Sequence, residues 1–361
     1  MKKIGLFAIL ILWLGLCIAT WVKPSGEISE SERRKLQQFP EISVKEILSG
    51  DWMEDFESYT LDQFPLRDSF RRVKALVHYN LLGQKDNNGI YLADGYAAKV
   101  EYPLNENSLD NALEKFRKLY DKYLSESKVY TAVVPDKGYF LAEPNGYPSL
   151  DYQMLMDKVA AGMPWAEFVD ISGDLTLESY YKTDTHWRQE KILSVAETLC
   201  EALGTGAFGR EDMNQETLER PFYGVYYGQA ALPMDAEQMM ILNHEILENC
   251  TVYNHENGKT TGIYDGSKLE SQDLYDVFLS GAAALLTIEN PDGDPGKELI
   301  VFRDSYGSSL IPLLLKDYAK VTVIDTRYIA PDLLGRFVDF HGQDVLMLYS
   351  TLLLNNSFSL K

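Results

Sequence analysis

The sequence is poor in the residues that build disulfide frameworks and metal centres. It has 3 cysteines and 5 histidines among 361 residues. One cysteine lies inside the leading apolar segment, so Cys200 and Cys250 are the only candidates for a disulfide, and neither has the spacing of a metal ligand. Four histidines also lack ligand spacing and are interpreted as structural: His78, His244, His255 and His341. We therefore expect no bound metal and no other cofactor.

Positive charge is scarce as well. The chain has 34 Lys and Arg against 54 Asp and Glu, which gives a net charge of −20. Without a basic stripe it cannot neutralise phosphates, which argues against a nucleic-acid partner, and an anionic lipid surface would not attract it. We interpret the acidity as a source of solubility.

Long apolar runs are absent except at the amino terminus. Met1-Lys2-Lys3 precedes nineteen uncharged residues, Ile4–Val22, which as a helix would extend roughly 28 Å, close to the thickness of a bilayer's hydrocarbon core. The two lysines orient the amino terminus to the cytoplasm. Residues 1–22 are thus predicted to be a signal anchor, with an extracytoplasmic body held at the cytoplasmic membrane by residues 4–22. Cleavage near Cys17-Ile18-Ala19 would instead make residues 1–22 a signal peptide and the body a secreted protein.

The segment after the anchor differs from the rest of the chain in composition. Residues 23–43 hold Pro, Ser, Glu and Arg with little apolar periodicity, which is typical of a tether. The domain is predicted to cover residues 44–361 and to begin with two helices within residues 44–84. A hairpin signal follows at Asp94-Gly95, and Ser108 is predicted to be the N-cap of the next helix.

Helical and strand-like segments alternate through the remaining domain, which predicts a mainly parallel sheet covered by helices on both faces. Between residues 205 and 295 the pattern changes to short strands and hairpins, interpreted as a β-rich insertion. The predicted strands are 129–134, 168–171, 299–302, 321–324 and 345–349, with 223–227, 251–253 and 262–264 inside the insertion. The predicted helices are 152–161, 188–203, 310–318 and 331–340.

Two polar segments carry groups that suit nucleophilic catalysis. Asp184 and His186 are two residues apart, and an extended segment or loop projects both side chains to the same side. Ser305 follows the strand-like run 299–302 at its carboxyl end, where sites form in open α/β sheets. Together they supply an acid, a base and a nucleophile. Alternatively, Asp184 could simply cap the following helix, and Ser305 could be an ordinary turn residue.

Four motifs of this chain carry a resemblance to a known family. They are Phe64-Pro65-Leu66-Arg67-Asp68, Lys182-Thr183-Asp184-Thr185-His186-Trp187, Arg303-Asp304-Ser305-Tyr306 and Ile324-Asp325-Thr326-Arg327-Tyr328. In these motifs the chain resembles the DHHW protein family, which is similar to the SGNH-hydrolase-like O-acetyltransferases that modify alginate outside the cytoplasmic membrane. The resemblance covers nearly all of the chain after residue 27.

The chain departs from the family pattern at two places. Thr185 stands where the family motif usually has its first histidine, but the outer Asp184 and His186 are retained. Ser280-Gly281-Ala282 stands where a Gly-Asn pair is expected. If that asparagine normally donates to an oxyanion, its replacement by Ala282 removes one donor from the oxyanion hole.

The resemblance implies a three-layer α/β/α sandwich of the SGNH-hydrolase type. It implies that Ser305 is the nucleophile, His186 the base and Asp184 the group that orients the imidazole. The implied activity is serine-dependent O-acetyl transfer to a cell-surface polysaccharide or oligosaccharide, with a membrane protein that could donate the acyl group. A carbohydrate acyl esterase with the same triad and a non-catalytic glycan-binding surface protein are the alternatives.

Four further side chains are candidates for substrate binding. Arg67, Lys137 and Arg327 lie at predicted loop positions, where they could bind an anionic sugar or carboxylate. Trp187 could stack on a sugar ring, although solvated surface charge and core packing explain such residues equally well. The segment 205–295 lies between the two triad segments and is expected to form part of the acceptor-binding wall.

Overall fold

The computed structural model describes residues 2–29 and 31–361. The α-helices are, in chain order, α1 (Lys2–Val22), α2 (Val44–Ser49), α3 (Asp51–Asp62), α4 (Arg67–Leu76), α5 (Glu106–Leu119), α6 (Gly138–Leu141), α7 (Tyr152–Gly162), α8 (Leu193–Leu203), α9 (Val225–Ala230), α10 (Glu245–Asn249), α11 (Gly307–Leu310) and α12 (Thr351–Leu354). The strands are β1 (Ile28–Ser29), β2 (Arg34–Lys35), β3 (Ile90–Ala93), β4 (Tyr96–Lys99), β5 (Val129–Val134), β6 (Ala166–Phe168), β7 (Asn214–Phe222), β8 (Glu237–Asn243), β9 (Thr251–Asn254), β10 (Lys259–Thr261), β11 (Leu285–Glu289), β12 (Asp294–Arg303), β13 (Tyr318–Ile324) and β14 (Asp344–Ser350).

The chain forms two compact units. The first runs to Ile90 and includes Val225–Met234, and the second consists of Tyr91–Gly224 and Asp235–Lys361. In the first unit, α1 is long and apolar enough to cross a membrane over Ile4–Val22 and could serve as a signal anchor.

The segment expected to be a tether is held by hydrogen bonds within the first unit. The side chain of Gln63 accepts from the N–H of Gly26 at 2.8 Å and donates to its carbonyl at 2.9 Å. Arg34 donates to Asp62 at 2.7 Å. Gly26 and Arg34 are therefore fixed against the end of α3.

An eight-stranded sheet forms the centre of the second unit, in the order β10-β9-β11-β13-β12-β14-β5-β6. The five strands from β13 to β6 run parallel to one another. The other three form an antiparallel edge, with β11 paired to both β13 and β9. The predicted α/β fold with a mainly parallel sheet is confirmed.

Side chains of the central strands alternate between two hydrophobic cores, one on each face of the sheet. In β14, Leu346 and Leu348 belong to a core that includes the apolar face of α8. Val345 and Met347 belong to a second core that includes α5 and α7. Because strand side chains alternate with a period of two, this division shows helices covering both faces, as in a three-layer SGNH-hydrolase-like sandwich.

The predicted elements near the site need two corrections. The predicted helix 310–318 is short: α11 passes into a 3-10 turn, Ile311–Leu314, and β13 already begins at Tyr318. Pro312 lies in that turn and has no N–H with which to extend an α-helical ladder. The predicted helix 188–203 starts only at Leu193, after a 3-10 turn, but it ends as expected at Gly204, whose φ is 68°.

One further prediction differs from the structure in the second unit. The N-cap of α5 is Asn105, whose side chain accepts from the N–H of Ser108 at 3.1 Å, so Ser108 lies inside the first turn. Its hydroxyl is buried and donates to the carbonyl of Leu354. Cys200 and Cys250 are both buried free thiols and form no disulfide.

The segment 205–295 does not form one separate body. β7 and β8 make an antiparallel pair of their own, whereas β9, β10 and β11 extend the main sheet. Residues 223–227, predicted as a strand, instead run into the short helix α9. The segment therefore contributes both an added hairpin and one edge of the central sheet.

Candidate active site

Ser305 lies in the turn between β12 and α11, at the carboxyl edge of the central sheet. Gly307 allows this turn to fold back on the strand, because a Cβ there would lie 2.8 Å from the Cβ of Arg303. Asp304 holds this turn in place. Its carboxylate accepts from the N–H of Tyr306 at 3.1 Å and from the N–H and hydroxyl of Ser350 at 2.8 and 2.6 Å. The end of β12 is thus tied to the end of the neighbouring strand β14.

Asp184, His186 and Ser305 form one continuous hydrogen-bonded chain. The imidazole Nε2 lies 2.8 Å from the Oγ of Ser305, and Nδ1 lies 2.6 Å from Oδ1 of Asp184. The same carboxylate oxygen accepts from the backbone N–H of His186 at 3.0 Å. Asp184 is fully buried and Ser305 is partly exposed. The arrangement can deprotonate the serine hydroxyl while the buried carboxylate fixes the tautomer of the imidazole.

The loop that carries Asp184 is held by a buried carboxylate from β8. Glu237 accepts from the N–H groups of Lys182 and Thr183 and from the hydroxyl of Thr183, each at 2.8 Å. From the other side, the ammonium of Lys137 donates to the carbonyls of Tyr181 and Lys182 at 2.7 and 3.2 Å. The backbone on both sides of Asp184 therefore has little freedom.

Gly224 packs directly against this loop. A Cβ at Gly224 would lie 2.2 Å from the Cα of Asp184 and 2.3 Å from its Cβ. Contacts this short with backbone atoms cannot be relieved by a rotamer change. Only glycine fits here without displacing the aspartate.

Tyr275 covers one face of the imidazole of His186. The two rings are stacked with centroids 3.9 Å apart and planes 6° apart. Tyr306 contacts the same imidazole at 5.2 Å in an edge-on arrangement. The Tyr275 hydroxyl lies 2.8 Å from the Oγ of Ser309, and burial raises the pKa of the Tyr275 phenol. Tyr275 is therefore a neutral ring, and it restricts the rotation of His186.

The backbone N–H groups around Ser305 are only partly available as oxyanion donors. Around Ser305, the N–H of Tyr306 is bonded to Asp304, and those of Gly307 and Ser308 are bonded to the carbonyls of Asp304 and Ser305. The N–H of Ser305 is the remaining donor of that set. Ala282, where the amide was expected, is exposed and has no donor in its side chain.

The backbone before Ala282 has an unusual conformation. Leu279, Ser280 and Gly281 all have positive φ, at 53°, 60° and 82°. The hydroxyl of Ser280 donates to Asp265 at 2.7 Å, and the carbonyl of Gly281 accepts from the buried Arg303 at 3.3 Å. Two non-glycine residues in the left-handed region are costly, so this segment is held in place by its surroundings.

The four predicted substrate-binding side chains occupy different environments. Trp187 is fully buried and donates to the carbonyl of Tyr306 and to Ser309, both at 3.0 Å, so the structure leaves it no face for a sugar. Arg67 lies in the first unit and pairs with Glu32 at 2.6 Å. Trp187 is therefore part of the core, and Arg67 is engaged in an ion pair within the first unit.

Lys137 and Arg327 follow β5 and β13 at the same edge of the sheet as Ser305. Lys137 is buried, and burial lowers the pKa of its ammonium to about 7. The guanidinium of Arg327 binds Asp325 at 2.6 and 2.9 Å, and its side chain remains 22% exposed. Of these two cations, Arg327 is the one that a ligand can still reach.

Sequence reasoning missed Tyr275, Gly224 and Glu237. All three lie within or beside the segment 205–295, and each reaches the triad through tertiary contacts rather than through a local motif. No periodicity or spacing in the chain marks them. Among the described residues no group of three or more His, Cys, Asp or Glu is placed to hold a metal ion.

Comparisons with solved structures find similar proteins, and the first two named here share the fold of this chain. A DHHW family protein from Eubacterium siraeum matches with a TM-score of 0.61 and 21% identity over 76% of this chain and 95% of that one. Bacillus cereus PatB1, solved with a sulfonyl adduct, matches with a TM-score of 0.56 and 14% identity over 73% and 95%. The O-acetyltransferase domain of Pseudomonas putida AlgJ matches with a TM-score of 0.45 and 15% identity over 74% and 92%.

The sequence comparisons point to one family. No curated protein matches the chain at a significant level. The sequence model of the DHHW protein family matches residues 174–324, a range that contains Asp184, His186 and Ser305. The resemblance to the DHHW protein family is therefore confirmed over residues 174–324.

Proposed function

We propose that the protein is an extracytoplasmic O-acyltransferase, most simply an O-acetyltransferase, that modifies a cell-surface polysaccharide through an acyl-Ser305 intermediate. The observation that carries the proposal is the continuous chain from Asp184 through His186 to Ser305, with contacts of 2.6 and 2.8 Å. A glycan-binding protein without catalysis would not need a serine hydroxyl directed at an oriented imidazole.

The first half-reaction acylates the serine. Nε2 of His186 removes the proton from Ser305 Oγ as the oxygen attacks the carbonyl carbon of the donor ester. When the tetrahedral intermediate collapses, the bond to the donor's alkoxide breaks, and the imidazolium returns its proton to that alkoxide. Asp184 keeps the Nδ1 proton in place and stabilises the cation.

The second half-reaction transfers the acyl group. A sugar hydroxyl gives its proton to Nε2 of His186 and attacks the acyl-serine carbonyl, and Ser305 Oγ leaves and recovers that proton. The N–H of Ser305 is the backbone donor available to the oxyanion. Loss of one such donor typically costs about 3–4 kcal/mol of barrier, and the side chain of Ala282 supplies none.

Transfer is preferred to hydrolysis because the motifs resemble those of alginate O-acetyltransferases. The acceptor would be an oligosaccharide or polysaccharide, and Arg327 is the side chain best placed to bind an anionic one. The donor would reach the site from a membrane protein if α1 holds the body at the membrane.

Mass spectrometry of acceptors tests the proposal. The full chain is incubated with nitrophenyl acetate and a panel of uronic-acid and hexosamine oligomers, with Ser305→Ala as the inactive variant. Ser125→Ala, at an exposed site in the same unit, is the matched control. We expect acetylated oligomers with the wild type and with Ser125→Ala only. Ester loss without acetylated oligomers would identify an esterase, and no ester loss would identify a binding protein.

A further inference from the structure

Large apolar side chains are exposed along residues 42–53 of the first unit. No residue of the six-residue helix α2 is buried. A continuous exposed apolar surface usually marks a contact with another molecule or with lipid. The exposed fractions are 74% for Ile42, 75% for Val44, 46% for Ile47, 83% for Leu48 and 60% for Met53.

Three of these side chains share one side of α2. Val44, Ile47 and Leu48 are three and four residues apart, so they lie together on one helical face. Glu46 points away from that face. The helix is therefore amphipathic although it is short, with an apolar side that the described residues leave uncovered.

Aromatic contacts tie both ends of this segment to the last turn of α1. Trp21 lies 6.3 Å from Phe39 and 6.0 Å from Phe56, measured between ring centroids. Trp52 stacks on Phe56 at 5.0 Å and contacts Phe39 at 6.4 Å. The chain leaves this cluster at Phe39 and returns at Trp52, so α2 must lie near the carboxyl end of α1.

The position of Trp21 fixes the depth of α2 if α1 spans a membrane. The run Ile4–Val22 has 19 residues, which as a helix matches the hydrocarbon thickness, and Lys23 follows it directly. Trp21 then lies at the outer boundary of the hydrocarbon, where Trp and Tyr are enriched in membrane proteins. α2, held beside it, lies at the same level.

Charge favours this placement. On the outer side of the anchor, residues 23–90 contain 10 basic and 12 acidic residues, so nearly all of the acidity of the chain lies beyond residue 90. The acidity that would keep the whole chain away from an anionic lipid surface is therefore small in the part next to the anchor. An apolar contact with lipid is therefore not opposed by local repulsion.

We propose that α2 is an interfacial membrane helix, with Val44, Ile47 and Leu48 inserted at the headgroup and acyl boundary of the outer leaflet. The proposal rests on α1 crossing the membrane and is independent of the chemistry at Ser305. It gives the protein a second membrane contact beside the anchor, as in other amphipathic helices that lie in the interface plane.

Spin labels on the full chain test the proposal. Leu48→Cys and Glu46→Cys are each made together with Cys17→Ala, because Cys17 is exposed and would also be labelled. Cys200 and Cys250 are buried and are left unchanged. Each is labelled with a nitroxide and reconstituted into nanodiscs of phosphatidylethanolamine and phosphatidylglycerol. Glu114→Cys on α5, whose native side chain is 67% exposed, gives the aqueous reference.

The two faces of α2 should differ in accessibility. We expect the label at position 48 to collide severalfold more with oxygen than with a water-soluble nickel chelate, and the labels at 46 and 114 to show the reverse. Equal nickel accessibility at 48 and 114 would overturn the proposal. The proposal would also be overturned if the mature protein were isolated from cells without α1 and without bound lipid, because α1 would then not anchor it.

Discussion

The phenol ring of Tyr275 lies flat on the imidazole of His186, with centroids 3.9 Å apart. The imidazole is thus held by Asp184 at Nδ1, by Ser305 at Nε2 and by an aromatic face. In the proposed mechanism the ring becomes a cation during attack by Ser305, and an aromatic face attracts a cation by about 0.5–2 kcal/mol. In that mechanism Tyr275 stabilises the charged form of the base.

Replacing the ring of Tyr275 should slow turnover. We expect Tyr275→Leu to lower kcat for nitrophenyl acetate by about tenfold, as a loss of about 1–2 kcal/mol implies, with little change in KM. Tyr275→Phe keeps the stacking and loses only the bond to Ser309, so it should retain most of the activity. If both variants lose activity equally, the hydroxyl rather than the ring is the important group.

Gly224 should tolerate no side chain. In Gly224→Ala the new methyl group would meet the backbone of Asp184 at 2.2 Å, so we expect the aspartate to shift and esterase activity to fall by at least tenfold. Overpacking of this kind should also lower the free energy of unfolding by about 1–3 kcal/mol.

The matched control is Gly173→Ala, because a Cβ at the exposed Gly173 has no neighbour within 4 Å. That variant should keep wild-type activity and stability in the same esterase and denaturation assays. Wild-type activity in Gly224→Ala would show that the position of Asp184 is not required.

Lys137 should make stability depend on pH. Burial lowers the pKa of its ammonium to about 7, whereas a lysine in the unfolded chain titrates near 10.4. Between these values the unfolded state binds more protons, so the contribution of Lys137 to stability rises as the pH increases from 7 towards 10.

Denaturation of wild type and Lys137→Met at pH 7, 8.5 and 10 tests this dependence. The free energy of unfolding should increase with pH more in the wild type than in the variant, by about 1.4 kcal/mol per pH unit at most. Lys191→Met, at an exposed position, should track the wild type at each pH. A constant difference between wild type and Lys137→Met would mean that the ammonium does not titrate in this window.

The parallel core of the fold could be predicted from the sequence because its strands are continuous apolar runs. β5, β14 and the carboxyl-terminal halves of β12 and β13 are buried on both faces, and such runs stand out without tertiary information. Helix ends were less predictable. Ser108 and Asn105 are both good capping residues, and only the packing of Ser108 against Leu354 decides between them.

The triad segments could be predicted because each follows a recognisable local pattern. Tyr275, Gly224 and Glu237 could not be predicted, because they are distant in sequence from the loop 182–186. Only the tertiary fold brings them into contact with it. Trp187 shows the converse: an aromatic residue beside His186 resembles a ligand contact in the sequence, but its indole N–H is bonded in the core.

Intact-mass and peptide mass spectrometry of the acyl-enzyme tests the central claim most directly. The full chain is quenched in acid seconds after mixing with nitrophenyl acetate, and the modified peptide is sequenced. We predict one acetyl group on Ser305 in the wild type, none in Ser305→Ala and strongly reduced labelling in His186→Ala. Acetylation of another residue, or equal labelling in Ser305→Ala, would contradict the account.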